Sequence, residues 1–266
     1  MLSEELLKAR IGNFTASENH RLMAGWDKPA APKIEEMPDL QFLYDQVKPE
    51  YLDGERTFTL KRLKPLLPEQ EFDTKMVAAV LDAVKGEIVP EGLKTYAEEK
   101  ALEELFDLDP SLNFGNVHTR NGEERELPCM ELLADQTSLN FIATGEHQAH
   151  ICVDGVGCTP DGIVEDDIGM IETGAEAKCK TNLEHARLFL INNGEQLKKE
   201  AFDHFTQVQT QMLVTGAKHW YFVIYNPFAK FAWLQFKYIV VQRDDAFIKI
   251  LNDRIAIAKK INATTV

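Results

Sequence analysis

The order of strand and helix patterns in the second half of the chain limits the fold to a few architectures. Runs rich in β-branched and aromatic residues predict four strands, at 150–153, 170–180, 220–226 and 231–242. Apolar residues at helical spacing predict three helices, at 183–190, 195–215 and 244–260. This order predicts an α/β (α+β) fold, in which a central mixed β-sheet is flanked by helices.

The first half of the chain is predicted to be mainly helical. Thr15 and Glu18 have the spacing of a capping box, which predicts that a helix begins there. Further helices are predicted near 73–85 and over 95–106. The charged stretch 117–127 is predicted to form a hairpin.

The length of 266 residues and the hydrophobic content of 44% suffice for one large domain with a buried core. We therefore expect a single domain over 1–266, with a mainly helical part at 1–110 and a sheet-containing part at 111–266. The four cysteines lack zinc-type spacing, and no apolar run reaches the ~18 residues of a membrane helix. These features predict a cytoplasmic protein that does not enter a membrane.

The net charge of −14 at first argues against a nucleic-acid binder, because such proteins usually present a basic face to the phosphates. The charge is unevenly distributed, however. Residues 1–160 hold 30 acidic and 16 basic residues, whereas 161–266 hold 13 of each. The second block is therefore neutral, and the objection does not apply to it.

The most informative unit is Pro160-Asp161, followed by Glu176-Ala177-Lys178 fifteen residues after Asp161. Asp161 and Glu176 are expected on adjacent strands of one hairpin, the first strand running through TPDGIV (159–164), so their carboxylates can converge on one divalent cation. Residues i and i+2 of a strand face the same side, so Lys178 lies beside Glu176, and Ala177 offers its carbonyl oxygen. Such a set suits a metal-dependent phosphodiesterase. Taken alone, Pro-Asp-Gly is also a common turn, and Glu-x-Lys is common on exposed strands.

The strings around these residues resemble the PD-(D/E)xK nuclease superfamily, and more narrowly its lambda exonuclease branch, the viral recombination exonucleases. In chain order, the matching strings are RIGNFTAS (10–17), TPDGIV (159–164), EAKCKT (176–181), TQVQTQMLVT (206–215) and WYFVIYNP (220–227). The resemblance implies a restriction-endonuclease-like nuclease core within 111–266. The spacing between the two motif acids is longer than is usual for this branch.

The resemblance also implies catalytic and metal-binding roles. Asp161 and Glu176 match the metal-binding acids, and the carbonyl of Ala177 adds a ligand. Lys178 matches the motif lysine. Gln207 matches a glutamine that positions the attacking water or the scissile phosphate.

Four further residues match less closely. Glu98 resembles an acid that supports the metal from a preceding helix, although Glu99 is one position away. Arg10 matches an arginine that binds the 5′-terminal phosphate of DNA, and Thr15 and Ser17 stand where hydroxyl and amide groups could hold that phosphate. Arg10 could instead pair with an acid on a helix surface, and Thr15 could be only a helix cap.

The implied function is that of a Mg²⁺-dependent exodeoxyribonuclease, with Mn²⁺ able to substitute. It would digest linear duplex DNA from 5′ to 3′, release 5′-mononucleotides and leave a 3′ overhang for recombination. The branch also implies a homotrimeric ring, a single-strand annealing protein as partner, and the host bacterial cytoplasm if the chain is phage-encoded. In a ring, the basic side chains near the site, Arg10 included, are expected to face one channel.

Two other functions remain open at this stage. One is a structure-specific or endonucleolytic enzyme of the same superfamily. The other is a non-catalytic DNA-end-binding recombination partner, although the intact set of Asp161, Glu176 and Lys178 argues against a decayed nuclease.

Overall fold

The structure, a computed structural model, describes residues 8–26, 32–52, 74–87, 89–106 and 117–265. The chain divides into two compact units, one of Met1–Ala24 with Gly92–Val266 and one of Gly25–Glu91. The single domain expected over 1–266, with its mainly helical part at 1–110, stays a prediction. All the predicted site residues belong to the larger unit.

The larger unit contains two mixed sheets. The described strands are β1 (Phe14–Thr15), β2 (Ile151–Val153), β3 (Val156–Cys158), β4 (Gly162–Glu165), β5 (Ile171–Lys178), β6 (His219–Tyr225) and β7 (Phe236–Gln242). The first three form a small sheet in the order β1-β3-β2, and the others form a larger sheet in the order β4-β5-β6-β7. The four strands predicted from the sequence are confirmed, with β7 starting later than predicted.

The helices in the described residues are α1 (Gln41–Leu52), α2 (Thr74–Glu87), α3 (Glu91–Phe106), α4 (Val117–Thr137), α5 (Asn182–Phe189), α6 (Gly194–Glu200), α7 (Phe202–Thr215) and α8 (Asp245–Thr265). Helices α3 to α8 belong to the same unit as these sheets and flank them, whereas α1 and α2 belong to the smaller unit. The predicted class, a mixed sheet flanked by helices, is confirmed. None of these helices is both long and apolar enough to span a membrane.

The topology of the larger sheet brings the motif residues to one edge. Strands β4 and β5 form an antiparallel hairpin, and β5 then pairs with β6 in parallel. A parallel connection needs a crossover, which α5, α6 and α7 supply. The carboxyl ends of β5 and β6 therefore lie side by side, with Lys178 in register with Ile224.

Close packing fixes the sheet against its neighbours. Trp220 and Phe222 of β6 are fully buried. A Cβ atom added to Gly174 would lie 2.4 Å from the ring of Trp220, so only glycine fits at that point of β5. Helix α4 covers part of the same sheet through an apolar cluster consisting of Cys129, Met130, Leu133, Ala175, Ala177 and Val223.

The hairpin predicted over 117–127 is wrong, because this stretch is the first half of helix α4. The high density of charge suggested a hairpin, but Cys129, Met130 and Leu133 repeat at helical spacing and are buried against the sheet. This apolar face stabilises the helix.

Two other predictions differ in detail. The helix predicted over 195–215 is two helices, α6 and α7, separated at Ala201, whose backbone (φ −146°, ψ 64°) is not helical.

The helix predicted to begin at the capping box of Thr15 and Glu18 also differs. Thr15 lies in β1, where its hydroxyl group bonds Oε2 of Glu18 at 3.3 Å. The segment that follows, Asn19–Met23, is a short 3-10 helix, so no α-helix begins at this position.

The smaller unit is helical in its described part. Short 3-10 turns at Ile34–Glu36 and Pro38–Leu40 lead into α1, which packs against α2. The buried side chains of this unit include Leu43, Val47 and Val80. The helix predicted near 73–85 is confirmed as α2.

Candidate active site

Asp161 and Glu176 meet at the carboxyl end of strand β5. Asp161 directly precedes β4, and its amide donates to the carbonyl of Ala175 at 3.1 Å. Its Oδ2 accepts a 2.6 Å hydrogen bond from the amide of Ala177, next to Glu176. Asp161 and Glu176 are only 7% and 4% exposed, so both acids lie in a nearly dry environment.

Three side chains hold the carboxylate of Glu176. Oε1 accepts from Nζ of Lys178 at 2.7 Å and from Nε2 of Gln207 at 2.8 Å. Oε2 accepts from Nε2 of Gln211 at 2.5 Å. Lys178 also donates to Oε1 of Gln207 at 2.9 Å, so these groups form one connected network. The structure thus brings together Asp161, Glu176, Ala177, Lys178 and Gln207, as predicted.

Burial and neighbouring charges shift the pKa values of Asp161 and Lys178 in this cluster. Burial, the charge of Glu176 and the charge of Glu126 raise the pKa of Asp161 well above its usual value. Burial alone would lower the pKa of Lys178, but the carboxylates of Glu176 and Asp161 outweigh it and raise that pKa. Lys178 is therefore an ammonium group at neutral pH.

A second acid approaches Asp161 from helix α4. Nε2 of Gln148 donates to Oδ1 of Asp161 at 2.9 Å and contacts Oε2 of Glu126 at 3.2 Å. An amide nitrogen carries two hydrogens, so Gln148 can bridge both carboxylates. Sequence reasoning missed Glu126 because it took this stretch for a hairpin. As a helix, the stretch places Glu126 on the same face as Met130 and Leu133.

The structure does not bring Glu98 to this cluster. On helix α3, Glu98 is 39% exposed on its side chain and pairs with Lys94 at 3.8 Å. Its neighbour Glu99 forms a two-bond pair with Arg21, at 2.6 and 2.8 Å. None of the described contacts joins either acid to Asp161.

The fold has counterparts among solved structures. No protein-family profile and no curated sequence matches the chain. An alkaline exonuclease from Laribacter hongkongensis, LHK-Exo, aligns over 99% of this chain and 94% of its own, with 18% identity and a TM-score of 0.60. LHK-Exo in complex with dAMP aligns with 19% identity over the same shares, again with a TM-score of 0.60. A phage-related exonuclease from Haemophilus somnus 129PT covers 68% of this chain and 85% of its own, with 16% identity and a TM-score of 0.52.

The chain shares its fold with these exonucleases. This shared fold agrees with the fold that the sequence resemblance implies. The likeness to LHK-Exo extends over nearly the whole chain, so it includes the strands that carry the Asp161 and Glu176 cluster.

In this exonuclease fold, Arg10 and Ser17 lie together near the surface. Nη2 of Arg10 contacts Oγ of Ser17 at 3.4 Å. Burial and the charge of Arg10 lower the pKa of His150. Nδ1 of His150 contacts Oγ1 of Thr159 at 3.1 Å, two residues before Asp161. The charge of Arg10 thus acts on His150, whose ring contacts a residue two positions before Asp161.

The amide and hydroxyl groups of Thr15 are already engaged in hydrogen bonds, so they are not free to bind a phosphate. Thr15 is buried, its amide donates to the hydroxyl oxygen of Tyr96 at 3.0 Å, and its hydroxyl bonds Glu18. Of the three residues predicted to bind phosphate, the structure therefore brings only Arg10 and Ser17 together.

The donor set of the cluster fits a hard divalent cation. Among residues that the structure describes, no group of three or more His, Cys, Asp or Glu side chains has metal-binding geometry. Asp161 and Glu176 nevertheless supply two carboxylates, and Ala177, the residue after Glu176, supplies a carbonyl oxygen. The raised pKa of Asp161 reflects burial and mutual repulsion of carboxylates, which a bound cation would offset. Oxygen ligands of this kind suit Mg²⁺ or Mn²⁺.

Proposed function

We propose that this chain is a Mg²⁺-dependent exodeoxyribonuclease that digests one strand of linear duplex DNA. We further propose that digestion runs from 5′ to 3′, releases 5′-mononucleotides and leaves a 3′ overhang. The observation that carries this proposal is the buried network of Asp161, Glu176, Lys178 and Gln207 at one sheet edge. The fold that the chain shares with alkaline exonucleases supports it.

Asp161, Glu176 and the carbonyl of Ala177 would hold the metal ion. When bound, the ion supplies Lewis-acid polarisation of the phosphate and lowers the pKa of a water. The side chains around Glu176 orient its carboxylate. Gln207 and Gln211 fix both oxygens of that carboxylate, so its orientation is set before substrate arrives.

Lys178 acts as a charged hydrogen-bond donor in this proposal. The carboxylates of Glu176 and Asp161 raise its pKa and so favour the ammonium form. Held by Glu176 and Gln207, this ammonium group can stabilise negative charge that develops on the phosphate oxygens.

Arg10 and Ser17 are proposed to receive the 5′-terminal phosphate. The contact between Arg10 and Ser17, and the effect of the Arg10 charge on His150, which contacts Thr159, support this proposal. Arg is suited to bidentate phosphate recognition. The dAMP in the LHK-Exo complex is a nucleoside monophosphate, the class of product proposed here.

Other parts of the proposal rest on the resemblance. They are a homotrimeric ring around DNA, an annealing protein that receives the 3′ overhang, and a cytoplasmic location. The substitution of Mn²⁺ for Mg²⁺ follows from the oxygen ligands.

The experiment compares linear duplex DNA carrying 5′-phosphates with closed circular DNA, each with Mg²⁺ and with EDTA. The proposal predicts mononucleotides from the linear duplex with Mg²⁺ only, and no cleavage of the circle. Cleavage of the circle would instead support an endonuclease. Binding to DNA ends without any release would support a non-catalytic recombination partner.

A further inference from the structure

We propose that the loop between β6 and β7 is a base-stacking platform for single-stranded DNA at the rim of the active site. This inference rests on the proposed action on DNA and identifies how an unpaired strand would be held. Three aromatic side chains of the loop, Phe228, Phe231 and Trp233, are 72%, 48% and 71% exposed. Clustered large apolar side chains that face solvent mark binding surfaces more often than single ones.

The loop leaves the larger sheet at the edge that carries the motif lysine. Lys178 is the last residue of β5 and is in register with Ile224, the next-to-last residue of the parallel strand β6. The loop therefore begins two residues beyond Ile224, at Asn226, on the same edge.

A second connection reaches the loop from helix α4. The guanidinium of Arg125 lies 4.8 Å from the centre of the Phe228 ring. Arg125 directly precedes Glu126, which Gln148 links to Asp161. Two independent sets of contacts thus place the start of the loop beside the acidic cluster.

Hydrogen bonds hold the loop in one shape. The amide of Asn226 donates to the carbonyl of Gln235 at 2.8 Å and closes the loop. Inside it, Oδ1 of Asn226 accepts from the amide of Phe228, and Nε2 of Gln235 donates to the carbonyl of Ala229, both at 3.0 Å. His185 contacts the carbonyl of Leu234 at 2.8 Å. Rings on a preorganised loop lose little conformational entropy when they bind.

The chemistry of the loop favours a nucleic acid over an apolar protein surface. The rings of Phe231 and Trp233 are nearly parallel, with centres 6.1 Å apart and planes 15° apart. Nζ of Lys230 lies 5.3 Å from the centre of the Phe231 ring, and Arg125 lies over Phe228. Aromatic faces combined with cations that can reach phosphates are typical of single-stranded DNA sites. A second copy of this chain would have to bury those two cations.

The test measures binding of the full chain to a fluorescent dT oligonucleotide in EDTA, where no cleavage occurs. A strand of the same length without bases serves as a second probe. The variants are Trp233→Ala, Trp233→Phe and the control Ile168→Ala, since Ile168 is 83% exposed at the opposite end of the β4–β5 hairpin.

Trp233→Ala is expected to weaken dT binding at least about five-fold, the lower end of base stacking. Trp233→Phe should keep most of the affinity, and Ile168→Ala should match the wild type. Affinity for the strand without bases should not change. The slope of log affinity against log salt should also stay the same, because that slope reports phosphate contacts.

Two results would overturn the inference. One is equal dT binding by Trp233→Ala and wild type. The other is conversion of an oligomer to monomers by Trp233→Ala, which would show that a second copy covers the loop. Nucleotide release with Mg²⁺ is measured on the same preparations. Release with unchanged dT binding by Trp233→Ala would reject the platform alone, whereas no release by the wild type would reject the nuclease proposal.

Discussion

Gln211 donates a 2.5 Å hydrogen bond to Oε2 of Glu176 from a position one turn beyond Gln207 on helix α7. Gln211 is fully buried, and its own Oε1 finds no hydrogen-bond partner among the described residues. Leaving a buried oxygen without a partner costs stability. The bond to Glu176 indicates that Gln211 acts as a positioning residue for that carboxylate.

The first prediction concerns Gln211→Leu. Without its Nε2 donor, Oε2 of Glu176 loses its partner and the carboxylate can rotate. We expect metal affinity or activity to fall about 10- to 100-fold, as for other residues that orient metal ligands. Calorimetric titration with Mn²⁺ and nucleotide-release rates measure the two effects.

Gln209→Leu is the matched control. Gln209 is equally buried on α7, but it bonds the carbonyl of Gln242 and the amide of Asp244, away from the acids. This variant should lose thermal stability and keep Mn²⁺ affinity. Equal loss of Mn²⁺ affinity in both variants would show that Gln211 acts only through folding.

The second prediction concerns Lys178→Met, which removes the cation 2.7 Å from Glu176. Breaking one side of a buried ion pair leaves an uncompensated charge. We expect the free energy of unfolding in EDTA to fall by about 3–5 kcal/mol. Added Mg²⁺ should restore part of it, although nucleotide release stays absent. Urea unfolding with and without Mg²⁺ tests this, and unchanged stability in EDTA would contradict it.

The third prediction separates Glu126 from Glu98. Glu126 shares Gln148 with Asp161, whereas Glu98 pairs with Lys94. Glu126→Gln should weaken Mn²⁺ binding by about 10- to 100-fold. Glu98→Gln should leave it unchanged. The opposite ranking would restore the role that the sequence predicted for Glu98.

The fourth prediction concerns pH and Asp161. Its pKa is raised in the folded protein, so its contribution to stability is complete below the unfolded value and is lost as pH rises through the folded value. Metal binding requires the carboxylate, so Mn²⁺ affinity should fall as pH falls through that same range. The increase in melting temperature that Mg²⁺ produces should therefore grow with pH. Asp161→Asn should abolish this dependence, and a pH-independent increase in the wild type would contradict it.

The fifth prediction concerns Arg10→Ala. If Arg10 binds the terminal phosphate, this variant should digest 5′-phosphorylated ends about 10- to 150-fold more slowly, the range for a hydrogen bond to a charged group. Digestion of 5′-hydroxyl ends should be unaffected, so the two substrates act as an internal control. Equal slowing on both ends would assign Arg10 a general role in DNA binding or folding.

The sequence predicted those parts of the molecule that depend on local patterns. Runs rich in β-branched and aromatic residues located the strands, and the i, i+2 rule placed Lys178 beside Glu176, as the 2.7 Å contact shows. Gln207, which the resemblance assigned to the site, donates to Glu176, and its role in positioning water or phosphate stays a prediction.

The remaining features depend on tertiary contacts. Glu126 reaches Asp161 only because α4 packs its apolar face against the sheet. Gln148 lies in a loop whose position no local pattern specifies. Thr15 carried a valid capping pattern, but pairing of β1 with β3 placed it in a strand instead. In each case, packing between distant segments outweighed local preference.

The most direct test of the central claim is a crystal of the protein soaked in Mn²⁺ and measured for anomalous scattering. We predict a peak within coordination distance of the carboxylates of Asp161 and Glu176. Crystals of Lys178→Met, soaked in the same way, serve as the comparison. Absence of a peak at these two carboxylates, in crystals whose protein still releases nucleotides with Mn²⁺, would contradict the assignment of the active site.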